Sequence, residues 1–512
     1  MDRDSRVIFG STFVLIVLIL VSAALALLRF DSLQIGTSYD DAHYIILAES
    51  LSSGQGYQLI NFPRPQIERN FPPGWSLLLT PITLLFPKNY DALKVISLLL
   101  WLASIPLVYR LFAKRLPSPA LEILTGLVAL NPLLIGTSVT VMSESAYLFF
   151  SLLALVVFNK ERERKIGILL LAALLAFYAQ QIRTIGIALF ISLLIYLLIT
   201  RRFRDFGAAA AILTAGTMLQ AWINLRNGGT VISSGYEAQV FSGSLIEKVY
   251  QVSSNAFGYF DGILSGSLVP VFGSRLDAIL AGFGVGWLTL VLNGIMLSII
   301  LVGLLTWKPK LEWMHIYFVI YILGILAFWN PKVGSVKARF LIPILPMLYF
   351  YFLHGLTWLI NRIFGYNARF ATRSLYGITA VIALTLLARN VQDWRSPVRE
   401  QMTDLSIGAS WVAQNAPADA IVMVNEPVPA YVHVKRKTIG FPRNDQDVEK
   451  YVENQGIDYI IVAPPLVSPR NTKLTKNVEE ILPALETNPT MFVMVYENDD
   501  YNVTVYQVNT LP

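Results

Sequence analysis

The sequence predicts a polytopic α-helical membrane protein with a small α/β unit at its C-terminal end. Three observations carry that reading. Only 14% of the 512 residues are charged, against about 25% in a soluble globular chain. The mean hydropathy is +0.55. The distribution is uneven: apolar runs dominate as far as about Asn390, and beyond it charged and polar residues return at ordinary density.

A span needs about 20 mostly apolar residues. The candidates are 7–29, 92–112, 119–136, 145–159, 166–180, 185–200, 206–223, 286–306, 313–329, 340–360 and 374–389, or about eleven spans. The first follows Arg3 and Arg6 and contains Ala24-Leu25-Ala26, like a secretory signal. Its 22-residue run from Val7 to Leu28 exceeds the usual signal core of about 7–15 residues and reads as a transmembrane helix.

Basic residues in short loops set the orientation. With the N-terminus inside, the inner loops hold Lys114 and Arg115, "NKERERK" ending at Lys165, "RRFR" from Arg201, Lys308 and Lys310, and Arg362, Arg369 and Arg373. The short outer loops are poorer in Lys and Arg. An odd span count then puts the C-terminal unit outside the cytoplasm, as expected of a prokaryotic cell-membrane protein with an outward-facing site. The net charge of +6 follows from these loops, and no Lys/Arg stripe interleaved with aromatics points to nucleic acid. There is no cysteine, and the four histidines (His43, His315, His354, His433) show no metal-ligand spacing.

Three outer regions exceed simple connectors: 30–91, 224–285 and 390 to the end. In the first, Ser38 to Leu51 mixes Tyr39, Ala42, Ile46 and Leu47 with polar residues. That pattern suits a helix lying in the membrane interface, and 245–265 is a second such candidate. The chain divides at about residue 390 into a membrane domain, 1–390, and an α/β domain, 391–512. In the latter, strand-like runs at 420–424, 459–463 and 491–495 alternate with helix-like stretches near 402–414, 445–455 and 475–486. No nucleophile constellation occurs there, so it reads as a structural or acceptor-binding module.

The charges on the outer face are the candidate chemistry. Asp40 and Asp41 are adjacent in "YDDAHY". Ser38 and Asp41, or Thr37 and Asp40, have capping-box spacing, which accounts for one acid and leaves a functional role open for the other. Glu144, in "MSESAY", stands at the outer mouth of an apolar helix. It either caps that helix with Ser143 or Ser145 or marks a site. Arg183, Lys337 and Arg339 fall at outer ends of spans, and Arg64 and Arg69 in the first outer loop. A lone arginine there is usually a snorkelling anchor. Together on the acidic face, they fit a shared anionic ligand, since guanidinium forks match phosphate.

These motifs resemble the GT-C membrane glycosyltransferases, in particular the branch of protein O-mannosyltransferases and the lipid A aminoarabinose transferase. "YDDAHY" (Tyr39 to Tyr44) is similar to that family's acidic pair after the first span. "FPPGWSLLLTP" (Phe71 to Pro81) resembles its Pro-Pro segment, "MSESAY" (Met142 to Tyr147) its second acidic loop, and "RFLIPILPMLYF" (Arg339 to Phe350) its late Arg-aromatic-Leu-x-Pro helix. The resemblance covers about 390 residues in layout. It departs at Asp41, where the family often has Glu, and before the Pro-Pro pair, where the lipid A branch has Lys and this chain reads Arg69-Asn70-Phe71.

The resemblance implies a polyprenyl-phosphate-linked sugar as donor, inverting transfer, and a protein, lipid or glycan acceptor. It implies Asp40 as the catalytic base, Glu144 as the second acid, and Arg339 beside the donor phosphate. Lys337, Arg183 and Arg69 join Arg339 as candidate phosphate contacts, and Asp41 and Tyr44 as helix cap or catalytic support. The chemistry is consistent: the phosphate is already a good leaving group, so the protein must supply a base for the acceptor hydroxyl and cations for the developing charge. No cofactor is required, and a divalent cation held by Asp40 and Glu144 is compatible with the set. The competing reading is a transporter or flippase of lipid-linked saccharides. No internal repeat is evident, and the charges lie at span ends instead of mid-membrane.

Overall fold

The computed structural model describes residues 3–31, 35–159, 165–226, 244–272, 274–308, 311–331, 334–363, 368–395, 403–442, 447–463 and 476–509. Of the inner-loop charges, residues 160–164 and Lys310 lie outside the described residues.

Each candidate span falls on helical structure, with 119–136 divided between two helices and 340–360 opening in a 3-10 segment. In chain order the helices are α1 (Arg3–Leu28), the outer-loop helices α2 (Asp40–Ser52) and α3 (Gly74–Leu85), and α4 (Tyr90–Phe112). Next come α5 (Ala120–Ala129) and α6 (Pro132–Ser138), then α7 (Glu144–Asn159), α8 (Ile166–Ile182), α9 (Ile187–Ile199) and α10 (Phe203–Arg226). The second outer region contributes α11 (Leu245–Gly258). The remaining long helices are α12 (Trp287–Thr306), α13 (Trp313–Phe328), α14 (Leu345–Ile363) and α15 (Ala368–Arg395). Asn131 caps α6, accepting from the Leu133 and Leu134 amides, and Pro132 opens it; the pair α5–α6 bends by 49° there. By length and composition alone, four described helices are long and apolar enough to cross a membrane, or five with that bent pair. The chain is a helical membrane protein, and the full count of about eleven exceeds what that criterion reaches.

The C-terminal sheet is small and mixed. Its strands are β3 (Ile421–Val424), β4 (Lys437–Ile439), β5 (Tyr459–Val462), β6 (Phe492–Asn498) and β7 (Val503–Val508), after a two-stranded hairpin β1 (Gln58–Leu59) and β2 (Gln66–Ile67) in the first outer loop. The order is β4-β3-β5-β7-β6, with β3 parallel to β4 and β5 and the other pairs antiparallel. Side chains alternate between faces. Val422, Val424, Tyr459 and Ile461 pack on α16 (Thr403–Asn415) and α17 (Pro427–Val434). Met423, Ile460 and Val462 pack on α18 (Val448–Gln455) and α19 (Lys476–Thr487). The three runs and three helices expected from the sequence are all present. The short edge strand β4, the interior strand β7 and the helix α17 have no counterpart among the expected elements.

Two expectations for the first outer loop are corrected. α2 is no interfacial helix, because Asp41, Ala42, His43, Tyr44, Ile45, Ile46, Leu47, Ala48 and Ser50 are buried around its whole circumference. It is a core helix of the large cluster that also holds Trp75, Trp101 and Tyr147. Nor is there a capping box: the N-cap is Tyr39, and its side chain makes no capping bond. The second candidate, α11, does expose an apolar face, with Leu245 and Ile246 each 81% accessible. Its buried Gln251 and Asn255 donate to the Ala327, Leu326 and Trp329 carbonyls at the end of α13.

α3 docks against the end of α8 through Gly74. A Cβ there would stand 2.6 Å from the Gln181 carbonyl carbon and oxygen. Gly74→Ala is therefore expected to destabilise the protein by about 1–3 kcal/mol, the usual cost of overpacking. Thermal unfolding in detergent checks this, and an unchanged midpoint would contradict the close approach.

Candidate active site

Asp40, Glu144, Arg183 and Arg339, four of the charges singled out, come together from four separate chain segments. Asp40 opens α2, Glu144 opens α7, Arg183 sits in the tight link between α8 and α9, and Arg339 lies in the 3-10 turn Ala338–Ile344 before α14. Arg339 Nη2 is 2.7 Å from Asp40 Oδ2, and Arg183 Nη1 is 2.6 Å from Glu144 Oε1. Arg339 Nε is 3.9 Å from the same Glu144 oxygen. Both guanidinium groups lie over the Phe340 ring, at 5.5 Å and 5.9 Å from its centroid. Tyr321 fixes that turn by donating to the Phe340 carbonyl at 2.8 Å.

The two carboxylates differ in access. Asp40 lines an open cleft together with Tyr44, Asn70, Arg183 and Arg339. The Glu144 side chain is 0% exposed and lies behind Arg183, off the cleft lining. Ser143, next to it, accepts from Arg183 Nη1 at 3.1 Å and shares a hydrogen bond with the Tyr44 hydroxyl at 3.1 Å. Sequence reasoning considered Ser143 only as a cap; nothing in its spacing pointed to this bridge. The rest of the cleft lining is largely apolar and aromatic, with Ile185, Tyr321, Ile325, Phe328, Trp329 and Phe340. Of these, Tyr321, Ile325, Phe328 and Trp329 belong to none of the motifs read from the sequence.

Local backbone geometry separates the two aspartates. Gly36 (φ 93) and Tyr39 (φ 61) both occupy the left-handed region, which is costly for tyrosine and tightens the approach to α2. Asp41 turns inward. Its Oδ2 accepts from the Gly36 amide at 2.7 Å and its Oδ1 from the Ala42 amide at 2.9 Å. Asp40 is left on the cleft wall. Burial pushes the Asp41 carboxyl up to about 6, with the Asp40 charge adding to the rise and the amide bonds opposing it.

Two expected phosphate contacts lie outside the cleft lining. The buried Glu68 accepts from the Arg69, Asn70 and Phe71 amides at 2.8, 2.5 and 3.3 Å. That turn sets Asn70, Phe71 and Pro72 on the cleft and leaves Arg69 exposed. Lys337 is exposed too, two residues before Arg339. As for a metal, Asp40 and Glu144 each face an arginine. Among the described residues no group of three His, Cys, Asp or Glu could hold an ion.

Two outcomes follow. The folded protein binds the Asp41 proton more tightly than the unfolded chain does. That residue's contribution is thus most favourable at low pH and is lost as pH rises from its ordinary 3.8 through about 6. Asp41→Asn should remove this slope, so its melting temperature gains on wild type between about pH 4 and pH 7. A constant difference across that range would contradict the buried acid. Glu144→Gln strands Arg183 and should cost about 3–5 kcal/mol, whereas Glu144→Leu combined with Arg183→Met should cost much less. Equal losses for the single and double variants, by thermal unfolding, would refute the pairing.

No family model matches the chain, and no curated protein matches its sequence. Solved structures do match. The oligosaccharyltransferase of Archaeoglobus fulgidus, solved with zinc and sulfate, superposes with TM-score 0.55 at 15% identity, over 88% of this chain and 68% of that one. ArnT from Cupriavidus metallidurans, bound to undecaprenyl phosphate, superposes with TM-score 0.61 at 12% identity, over 97% and 98%. The mycobacterial arabinofuranosyltransferase AftD gives 0.52 at 14%, over 97% of this chain and 40% of that one. Over most of its length the chain thus shares the fold of these solved glycosyltransferases.

Proposed function

We propose that this protein is a glycosyltransferase that moves a sugar from a polyprenyl-phosphate carrier to an acceptor hydroxyl at the outer membrane surface. The observation that carries the proposal is the cleft itself. It brings Asp40 and two arginines together with a set of large apolar side chains. A charged headgroup on an isoprenoid chain needs both. The binding of dolichol phosphate by the archaeal oligosaccharyltransferase and of undecaprenyl phosphate by ArnT supports the same reading.

In this reading the Asp40–Arg339 pair is the resting form of the site. Arg339 meets Asp40 through Nη2, and its guanidinium carries five N–H donors, so a phosphate oxygen can be taken on the same fork. An arriving phosphate competes with Asp40 for Arg339 and leaves the carboxylate to accept a proton. Asp40 takes the proton of the acceptor hydroxyl, and that oxygen attacks the anomeric carbon. The bond from that carbon to the phosphate oxygen breaks with its electron pair on the phosphate, whose charge Arg339 and Arg183 stabilise. One displacement inverts the anomeric centre. Glu144 acts as a positioning residue that holds Arg183, and Lys337 and Arg69 stand at the rim. About eleven spans, a domain division near residue 390 and a C-terminal domain outside the cytoplasm complete the proposal.

The test uses purified full-length protein and undecaprenyl-phosphate-linked mannose, glucose, galactose and arabinose as donors. Asp40→Asn should lower turnover by at least about 100-fold on any donor that wild type uses, while still binding undecaprenyl phosphate. Arg339→Lys should weaken that binding, because an ammonium cannot replace the fork. Unchanged turnover in Asp40→Asn would sink the base assignment.

A further inference from the structure

The helix that carries Asp40 is gripped at its other end by the C-terminal sheet unit. Glu49 lies nine residues beyond Asp40 on α2, about 13 Å along the helix axis. Its two carboxylate oxygens are taken by two tyrosines from different parts of the chain. Tyr90, at the start of α4, donates to Oε1 at 2.9 Å, and Tyr431, on α17, donates to Oε2 at 3.1 Å. Two residues on, the His433 Nε2–H donates to the Ile35 carbonyl at 2.9 Å. Ile35 precedes Gly36, whose amide is held by Asp41. Hydrogen bonds and adjacent residues thus lead from α17 into the turn that places Asp40 on the cleft.

α17 also belongs to two cores at once. Val428 and Val432 are buried in the large membrane-domain cluster, whereas Ala430 and Val434 are buried in the cluster of the sheet. β4 adds a second attachment to the first outer loop. The Thr438 amide donates to the Asn61 carbonyl at 2.7 Å, and Lys437 Nζ donates to the Ile60 carbonyl at 2.6 Å. A partly buried carboxylate shared by two hydroxyls adds little stability over an apolar contact, but it accepts only one register of the three helices.

We propose that Glu49, Tyr431 and His433 are positioning residues that set the placement of α2, so that the C-terminal unit helps to aim Asp40 at the acceptor. The functional half of this rests on Asp40 being the base. The placement half does not.

The test uses the full-length protein in lipid nanodiscs, with Tyr431→Phe and Glu49→Gln as minimal variants and the exposed Lys450→Gln as control. Hydrogen exchange of the 40–52 amides reads helix placement, undecaprenyl phosphate binding reads the cleft, and kcat and KM on the donors above read catalysis. Both variants should speed exchange across α2 and lower kcat about tenfold, with KM and undecaprenyl phosphate affinity within about twofold of wild type. The double variant should be no worse than the more impaired single one. Faster exchange in these variants, alongside an Asp40→Asn protein that still turns over, would uphold the clamp and sink only the base. Exchange and kcat like those of wild type in both variants would overturn the proposal, as would a raised KM at unchanged kcat.

Discussion

The ion pair between Glu144 and Arg183 is the contact on which the site depends. A carboxylate with no exposed surface at the mouth of an apolar helix is untenable alone, since desolvation far exceeds any local gain. Arg183 makes it tenable, and in return is fixed within reach of Ser143 and Phe340. Arg339 lies 3.9 Å from the same carboxylate, so one buried negative charge helps to hold two arginines side by side against their mutual repulsion. The second pair, Asp40 with Arg339, sits on the cleft and is only partly shielded. The inner pair is thus the foundation and the outer pair is the part that can exchange partners.

The first outer loop turns that foundation into a cleft. α2 is buried on every side and α3 packs on the end of α8, so the loop is as much a part of the core as the spans are. Left-handed backbone at Gly36 and Tyr39 and the inward bonds of Asp41 commit the two neighbouring acids to different jobs. The C-terminal unit then packs on the loop through α17, where Val428 and Val432 serve one core and Ala430 and Val434 the other.

Much of this architecture was legible in the sequence because it rests on composition and period. Each apolar run is a helix, the strand runs at 420–424, 459–463 and 491–495 are strands, and Asp40, Glu144, Arg183 and Arg339 were singled out by charge in apolar surroundings. What was not legible rests on tertiary partners. The mixed pattern from Ser38 to Leu51 reads as amphipathic, yet its polar members Asp41, His43 and Ser50 find partners in a core. Spacing alone also suggested Ser38 with Asp41 as a capping box, while the acid bonds to Gly36 instead. Arg69 and Lys337 looked equivalent to Arg339 as outward cations. Only the Glu68 turn and the course of the 3-10 segment separate them from the cleft. The aromatic wall at Tyr321, Phe328 and Trp329 was hidden because an apolar helix end looks the same whether it faces lipid, core or ligand.

The most direct measurement is the structure of the full-length protein bound to undecaprenyl phosphate. The account predicts the phosphate within hydrogen-bonding distance of Arg339, the Asp40–Arg339 contact opened, the Glu144–Arg183 pair intact, and the isoprenoid chain along Tyr321, Phe328 and Trp329. A phosphate bound elsewhere, with Asp40 still paired to Arg339, would contradict it.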